Sequence, residues 1–308
     1  MVLKQILEIY DVLDDSNVNG QKVLDLFKSF DNVETTLETV QGEKGSTDCI
    51  TIKIKGKNPN AKKLGIIGRL GGIGARPNVT GFVSDGDGAL TVLSVGLKIA
   101  DMNQKGDILE GDVIIATHIC PSAPVAPHNP VPFMGSPIDM EINNEHEVLP
   151  EMSAILSVDT TKGNRVINLN GFAISSTLKE GYILEVSNDL MDIYTRTTGK
   201  LPSIMPVCQQ DITPYGNDLH HVNSIFQPAC ATNSPVVGVA ITTEQMVAGC
   251  ASGATHFEDI EACARFCVEV AKYYTQDKCS FYDETEYKRL IDLYGTMNHF
   301  QKSGKMWG

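Results

Sequence analysis

Hydrophobic positions repeat along the chain in two patterns, one typical of amphipathic helices and one typical of buried strands. Apolar residues spaced three and four positions apart predict helices over residues 3–14, 23–30, 89–102, 188–198, 257–274 and 284–297. Short apolar runs predict strands over residues 34–40, 48–55, 62–68, 113–119, 153–158, 182–186, 204–208 and 236–241. Strands that alternate with helices in this way favour an α/β fold with three αβα layers, in which helices cover both faces of a central mixed, mostly parallel sheet.

We expect a single domain over residues 1–308, because neither an internal repeat nor a low-complexity linker divides the predicted elements. The length alone allows one large domain or two smaller ones. Residues 121–137 hold six prolines, and proline lacks the backbone donor that a helix or a central strand needs. A long ordered loop is therefore predicted there, and long loops in compact domains tend to be functional.

Composition and charge narrow the class of protein. Hydrophobic residues make up 42% and charged residues 20% of the chain, which is ordinary globular usage. The net charge of −13 argues against nucleic acid as a partner, since phosphate binding relies on clustered Lys and Arg. The N-terminus does not resemble a secretory signal, and no apolar run reaches the ~18 residues of a membrane helix. Eight scattered cysteines predict reduced thiols rather than a disulfide scaffold, so we expect a cytoplasmic protein.

Aspartates at the ends of predicted elements are the first candidate site residues. Asp85 and Asp87 lie in the motif Ser-Asp-Gly-Asp-Gly just before the helix that begins near Ala89, where they could supply oxygen ligands to a metal ion. The alternative is that one of them caps the helix, because Asp is a preferred N-cap residue. Asp159 follows an apolar strand and is either a further oxygen ligand or a turn residue.

A histidine and a cysteine at the end of the strand over 113–119 form the second candidate group. His118 and Cys120 could bind zinc or act as acid–base groups. The alternative is that both are buried, with the histidine hydrogen-bonded inside the core. The glycines after the strand over 62–68 do not have the spacing of a dinucleotide-binding loop, so a tight turn is favoured there.

Read in order, these segments resemble the co-catalytic zinc exopeptidases, in particular the glutamyl and deblocking aminopeptidases. The strand that carries that family's first zinc ligands resembles KKLGIIGRLGGIG, and the bridging-aspartate motif with its helix resembles SDGDGALTVLSVGLKI. Later strands of the family are similar to GDVIIATHICP, AILSVDTT and VVGVAITTEQ, and its final helix is similar to HFEDIEACARF. The chain also looks like a member of a bacterial protein family of this length without an assigned function.

The chain departs from the exopeptidase pattern at the metal ligands. Arg69 and Gly71 stand where the family has a His-x-Asp ligand pair, and Cys120 and Pro121 stand where it has paired glutamates. The closing histidine of the family has no clear counterpart, although His256 lies nearby. Among these positions, only Asp85 or Asp87 and Asp159 carry over as metal-type residues.

The family's inserted lid or dimerisation domain is missing, because the short interval between Gly71 and Asp85 leaves no room for it. The resemblance therefore implies an exopeptidase-like protein whose two-zinc site is largely lost. One divalent metal ion could bind at the three aspartates, whereas a tight zinc pair is not expected. The sequence does not identify a cofactor.

Three functions remain open. In the first, the protein acts on or binds a small amide, peptide or amino-acid derivative, with His118 and Cys120 as catalytic candidates. Arg69 and Arg76 are then the substrate-binding candidates, since a guanidinium can hold a carboxylate in bidentate fashion. In the second, the protein is a non-catalytic ligand-binding or regulatory protein on the same fold. In the third, it is an active metal-dependent aminopeptidase in which His118, His128 or His256 replaces a lost ligand.

We expect the protein to bind a small molecule or a short peptide, and to bind neither nucleic acid nor a membrane. A homo-oligomer is compatible with the sequence. We further expect Arg69, His118, Asp85 and Asp159 to lie around one pocket, because each follows or ends a predicted strand and the resemblance places their positions around one metal site.

Overall fold

The apolar segments assemble into one mixed sheet in the computed structural model, which describes residues 1–69, 81–127, 129, 132–207, 224–249 and 253–301. The strands are β1 Val33–Gly42, β2 Gly45–Ile54, β3 Leu64–Gly68, β4 Val113–Ile119, β5 Val125–Ala126, β6 Phe133–Met134, β7 Ala154–Thr161, β8 Gly171–Lys179, β9 Tyr182–Leu184, β10 Ile204–Met205 and β11 Val236–Thr242. Among the described residues, nine of them form the main sheet in the order β1-β2-β4-β3-β7-β11-β8-β10, with β9 paired to β8.

Parallel pairing is confined to the centre of the sheet and to β10. The four strands β4, β3, β7 and β11 run parallel to one another. On one side, β2 and β1 add antiparallel strands, and on the other side β8 runs antiparallel to β11. The central strands are buried on both faces, which explains why their sequences are continuous apolar runs rather than alternating ones.

Helices cover both faces of this sheet. They are α1 Leu3–Leu13, α2 Gly20–Asp25, α3 Asp87–Gln104, α4 Met140–Glu147, α5 Asn188–Thr198, α6 Phe257–Thr275 and α7 Glu284–Tyr294, with 3₁₀ turns at Ser84–Gly86, Ser224–Cys230 and Asn298–Phe300. The helices α1, α3, α5 and α6 pack together on one face. On the other face, α4 and the 3₁₀ turn at Ser224–Cys230 cover the sheet. The prediction of an α/β fold with a central mixed sheet between helices is confirmed.

Side-chain alternation along the strands decides which residues reach which layer. In β3, Ile66 belongs to the core under α3, whereas Ile67 belongs to the core under α4 and the 3₁₀ turn. The same alternation continues past the end of β3 and directs Arg69 towards α4.

Most predicted elements are present within a few residues of their predicted bounds, but two were missed and one differs. The missed elements are α4 and β8. The Pro-rich stretch predicted as a loop contains the two-residue strands β5 and β6, which pair with each other apart from the main sheet. In the part of the chain that the structure describes, no helix is long and apolar enough to cross a membrane. The expectation of a single domain over residues 1–308 stays a prediction.

Candidate functional site

Three of the sequence-predicted residues lie side by side at the carboxyl ends of the parallel strands. Ile67 of β3 is level with Ala116 of β4 and Ser157 of β7. Two residues further on, Arg69 therefore lies between His118 and Asp159. The backbone N–H of Arg69 donates to the carbonyl oxygen of Val158 at 2.7 Å, which extends the ladder past the end of β3. Because residues level with each other share a face, all three side chains belong to the face that α4 covers.

A glutamate from α4 joins Arg69 and His118. Glu147 Oε2 lies 2.5 Å from Arg69 Nη1, and Glu147 Oε1 lies 2.9 Å from His118 Nδ1. Arg69 Nη1 also donates to Asn144 Oδ1 at 3.3 Å. The Arg69, His118 and Glu147 side chains are at most 3% exposed, so the ion pair lies almost completely out of water.

The charge of Glu147 depends on these two neighbours. Burial alone would raise the pKa of Glu147, but the Arg69 charge and the His118 hydrogen bond outweigh it and lower the pKa below its ordinary value. The carboxylate is therefore ionised at neutral pH. His118 Nε2 is buried and has no hydrogen-bond partner within the described ranges.

A second buried ion pair lies at the start of α3. Asp87 is fully buried, and its Oδ2 lies 3.3 Å from Lys162 Nζ while its Oδ1 accepts from Thr255 Oγ1 at 2.8 Å. Lys162 also donates to the carbonyl oxygen of Ala254 at 3.3 Å. Burial raises the pKa of Asp87 to about 7, although Lys162 and Thr255 act in the opposite direction. This carboxyl group therefore titrates near neutral pH.

Close packing of α3 on the strand ends places the start of this helix directly against the backbone of Arg69 and Val158. A Cβ atom on Gly88 would lie 2.7 Å from the carbonyl oxygen of Arg69 and 2.8 Å from that of Val158, so only glycine fits there. Thr160 Oγ1, at the end of β7, donates to the carbonyl oxygen of Ser84 at 3.0 Å. The motif with Asp85 and Asp87 is thereby fixed against the carboxyl ends of β3 and β7.

The helix-capping alternative for these aspartates does not describe the structure. The N-cap position of α3 is Gly86, and no side chain makes a cap hydrogen bond. Asp85 precedes it in the 3₁₀ turn, is partly exposed, and donates its backbone N–H to the carbonyl oxygen of Gly249 at 2.8 Å. Both carboxylates are thus placed for interactions other than capping.

Asp159 has hydrogen-bond donors on both carboxylate oxygens. Its Oδ1 accepts from the backbone N–H of Thr160 at 2.7 Å, and its Oδ2 accepts from Ser224 Oγ at 3.2 Å. Asp159 is 6% exposed, so this carboxylate is held in a polar but nearly dry environment.

The remaining sequence-predicted candidates are not brought into this group. Cys120 is buried in a small apolar cluster with Val83, Ala123 and Met134, where burial raises the pKa of its thiol. His256 precedes α6, half exposed, with Nδ1 3.8 Å from Asp259 Oδ2. Arg76 and His128 lie outside the described residues. The proposed roles of all these residues stay predictions.

The residues at the strand ends do not fit a pair of zinc ions. Both carboxylate oxygens of Asp87 already accept hydrogen bonds, one from Lys162 and one from Thr255. Arg69, at the position that the resemblance gives to a first zinc ligand, brings a permanent positive charge. Among the residues the structure describes, no three His, Cys, Asp or Glu side chains converge into a possible metal site.

Sequence reasoning missed Glu147, Lys162 and Thr255. Glu147 lies on α4, which is short and mostly polar. The sequence of this helix therefore contains no apolar pattern that would indicate that Glu147 is buried. Lys162 follows Asp159 by three residues at the end of an apolar strand, and this position at the carboxyl edge was a usable indication.

Comparison with known proteins gives a fold and a family. No curated protein matches the chain. A solved structure of a tomato leucine aminopeptidase mutant is similar with a TM-score of 0.52 and 10% sequence identity, over 87% of this chain and 61% of that chain. This likeness shows the fold alone, and the chain spans less than two thirds of the aminopeptidase's length. A family model described as a protein of unknown function, DUF1177, matches residues 38–304. The chain therefore belongs to the DUF1177 family.

Proposed function

We propose that this protein binds or acts on a small amide, peptide or amino-acid derivative at the carboxyl edge of its parallel strands, without a zinc pair. The proposal combines the aminopeptidase-like fold with the position of the charged side chains. Ligands of open α/β sheets bind outside the carboxyl ends of the strands, which is where Arg69, His118, Asp159 and Lys162 lie.

The observation that carries the proposal is the Lys162–Asp87 ion pair. Its side chains are 6% and 0% exposed, and it lies at the start of α3, where the resemblance assigns a bridging metal ligand. An internal ammonium group thus takes the place beside the aspartate that a metal ion would need. A buried charge pair away from the apolar core is costly to build, and perturbed carboxyl groups of this kind cluster at functional sites.

Each member of the pair has a chemical role in this proposal. Lys162 is a point charge that can hold a carbonyl or carboxylate oxygen of the ligand. Asp87, with a pKa of about 7, can accept and return a proton at neutral pH. In the hydrolysis of an amide, Lys162 would polarise the carbonyl group, and Asp87 would take a proton from the attacking water and return it to the leaving amine nitrogen.

A second candidate function is non-catalytic ligand binding or regulation on the same fold. The observation in its favour is that Glu147 already neutralises Arg69 and accepts a hydrogen bond from His118 Nδ1. An arginine and a histidine that are paired in this way serve the structure of the site.

The test begins with protein that has been treated with a chelator and dialysed. Thermal-shift measurements with amino acids, aminoacyl amides and dipeptides identify a ligand, and aminoacyl-anilide hydrolysis measures turnover with and without added zinc, cobalt or manganese. We expect ligand stabilisation that does not need metal. Turnover without metal would support a catalytic function. Binding without turnover would support the second candidate function, which is non-catalytic ligand binding.

A matched pair of double variants tests the site. The double variant Lys162→Met with Asp87→Asn removes the ion pair at the carboxyl edge. The control double variant, Lys63→Met with Asp112→Asn, removes an ion pair near the start of β4, at the opposite edge, in which Lys63 Nζ lies 3.2 Å from Asp112 Oδ2. The first double variant should lose the ligand-induced stabilisation, and the second should keep it. Near two equivalents of bound zinc with clear metal-dependent turnover would instead restore the aminopeptidase.

A further inference from the structure

The edge strand β1 is long and regular. Its ten residues pair with β2 along their whole length without a bulge. Within the described residues β1 has no other strand neighbour, because it stands at the end of the sheet. Its side chains are exposed or partly exposed throughout. In the part of the chain that the structure describes, the opposite end of the sheet carries only the two-residue β10 and the three-residue β9. Short edge strands avoid pairing with other chains, whereas a long, regular one favours it.

The turn between β1 and β2 decides which backbone groups face outward. Two residues separate Gly42 from Gly45, and the residues that flank such a turn exchange hydrogen bonds with each other. Even-numbered residues of β1 therefore bond to β2, since the pairing alternates along antiparallel strands. The N–H and C=O groups of Thr35, Leu37 and Thr39 consequently point away from the sheet.

We propose that two copies of this chain pair through β1, as antiparallel strands about a twofold axis at Leu37. In this register Leu37 is opposite Leu37 of the partner subunit, and Thr35 is opposite Thr39 of the partner subunit. Both pairs have outward-facing backbone groups that can exchange hydrogen bonds. Apolar and Thr–Thr pairs directly opposite each other stabilise antiparallel strands.

Charge selects this register over its neighbours. Residues opposite each other in the two β1 strands must have their side chains on the same face of the sheet. The possible registers therefore differ by two residues in the pairing, which moves the twofold axis by one residue along β1. An axis at Glu38 would place Glu38 opposite Glu38 of the partner subunit. An axis at Thr36 would place Glu34 opposite Glu38 of the partner subunit. Like charges opposite each other are destabilising, and with the axis at Leu37 each glutamate is opposite an uncharged residue. The two sheets then join into one continuous sheet.

Hydrogen exchange followed by NMR tests the pairing at single residues. The amides of Thr36 and Glu38 bond to β2 and should be protected at all protein concentrations. The amides of Thr35, Leu37 and Thr39 should be protected only at concentrations where sedimentation shows a dimer. A monomer at all concentrations, or a dimer in which these three amides stay unprotected, would overturn the proposal.

Substitutions at Thr36 test the register. Thr36 is exposed and is opposite Glu38 of the partner subunit in the proposed dimer. Thr36→Lys should tighten the dimer roughly fivefold and Thr36→Glu should weaken it roughly fivefold, because the pair occurs twice. Circular dichroism checks that both variants fold. Equal dissociation constants for the two variants would show that β1 pairs in another register or that another surface forms the dimer.

Discussion

Glu147 is the residue on which two other buried polar side chains depend. It neutralises Arg69 and fixes the ring of His118, and its side chain is 2% exposed. An ionised pair in such surroundings contributes less than its short distance suggests, because both groups lose their hydration. Removing one partner is a different matter, since the remaining charge is then buried without compensation.

Glu147→Gln should therefore lower the free energy of unfolding by about 3 kcal/mol, since it leaves Arg69 charged and unpaired. The glutamine keeps the size of the side chain, so lost packing does not explain the effect. Urea unfolding measures the change. Glu151→Gln is the control, because its side chain is 38% exposed and pairs with surface lysines, and it should cost less than about 1 kcal/mol. Equal losses in both variants would contradict this account.

Asp87 should make stability depend on pH in the neutral range. Its pKa is raised from 3.8 to about 7, so the folded state binds more protons than the unfolded state between these values. The free energy of unfolding should accordingly fall as the pH rises from about 4 to about 7. Asp87→Asn should flatten this part of the profile. Parallel stability profiles for the wild type and Asp87→Asn would show that Asp87 does not titrate in this range.

The sequence indicated where three residues of the candidate site lie, but not the contacts between them and their neighbours. His118, Arg69 and Asp159 could be found because each ends or follows an apolar strand, and parallel strands end at the same edge. Glu147 could not be found, because nothing in the polar sequence of α4 indicates that it reaches the sheet. The roles expected for these residues stay predictions.

Among the elements, α3 is the one whose position defines the site. It starts directly against the carboxyl ends of β3 and β7, and its residues are buried along almost its whole length. Gly88 permits the approach because the carbonyl oxygens of Arg69 and Val158 fill the space of a Cβ atom. The start of this helix is consequently fixed by backbone contact.

Gly88→Ala should destabilise the protein by about 1–3 kcal/mol, since the helix must move away from the strand ends. Gly96→Ala, in the same helix, is the matched control. Its new Cβ atom would lie 3.0 Å from a side-chain atom of Ile115, which can adjust, and the gain of about 1 kcal/mol in helix propensity offsets the contact. Thermal unfolding measures both variants. A Gly88→Ala protein as stable as Gly96→Ala would show that α3 is not held so closely.

The pattern of hydrophobic residues explains which elements could be predicted from the sequence. The bounds of β4 and α5 agree with the prediction, because Pro121 follows β4 closely and α5 ends at Gly199 in a left-handed backbone conformation. The strand β8 was missed because Ser175 and Thr177 are buried in it, so its sequence lacks the continuous apolar run of a central strand. Tertiary contacts, which the sequence pattern does not contain, compensate for these polar residues: Gly238 donates to Ser175 Oγ at 2.9 Å.

At the scale of the whole molecule, burial is distributed unevenly between the helices. Most residues of α3 and α6 are buried between the sheet and the neighbouring helices. The helix α7 has no buried residue, and its contacts include Tyr287 against Tyr182 of β9. The free energy that holds each helix in place therefore differs strongly across the molecule.

Hydrogen exchange measured by mass spectrometry should separate the two kinds of helix. Peptides from α3 should exchange only through global unfolding, whereas peptides from α7 should exchange through local opening with a much smaller free energy. Low concentrations of denaturant should accelerate the hydrogen exchange of α3 and leave the hydrogen exchange of α7 almost unchanged. Protection of α7 equal to that of α3 would indicate that an additional contact covers α7.

The order of strands in the sheet has a consequence for how the chain acquires its structure during synthesis. The apolar strand β3 lies between β4 and β7, and its residue Leu64 pairs with both Val113 and Ala154. While the ribosome is still adding residues before β7, one edge of β3 has no partner in the nascent chain. Long-range parallel pairings of this kind close large loops and form slowly. Slower translation of the residues between β3 and β7, or a higher temperature, should therefore increase aggregation of the newly made protein, even though the finished fold is unchanged.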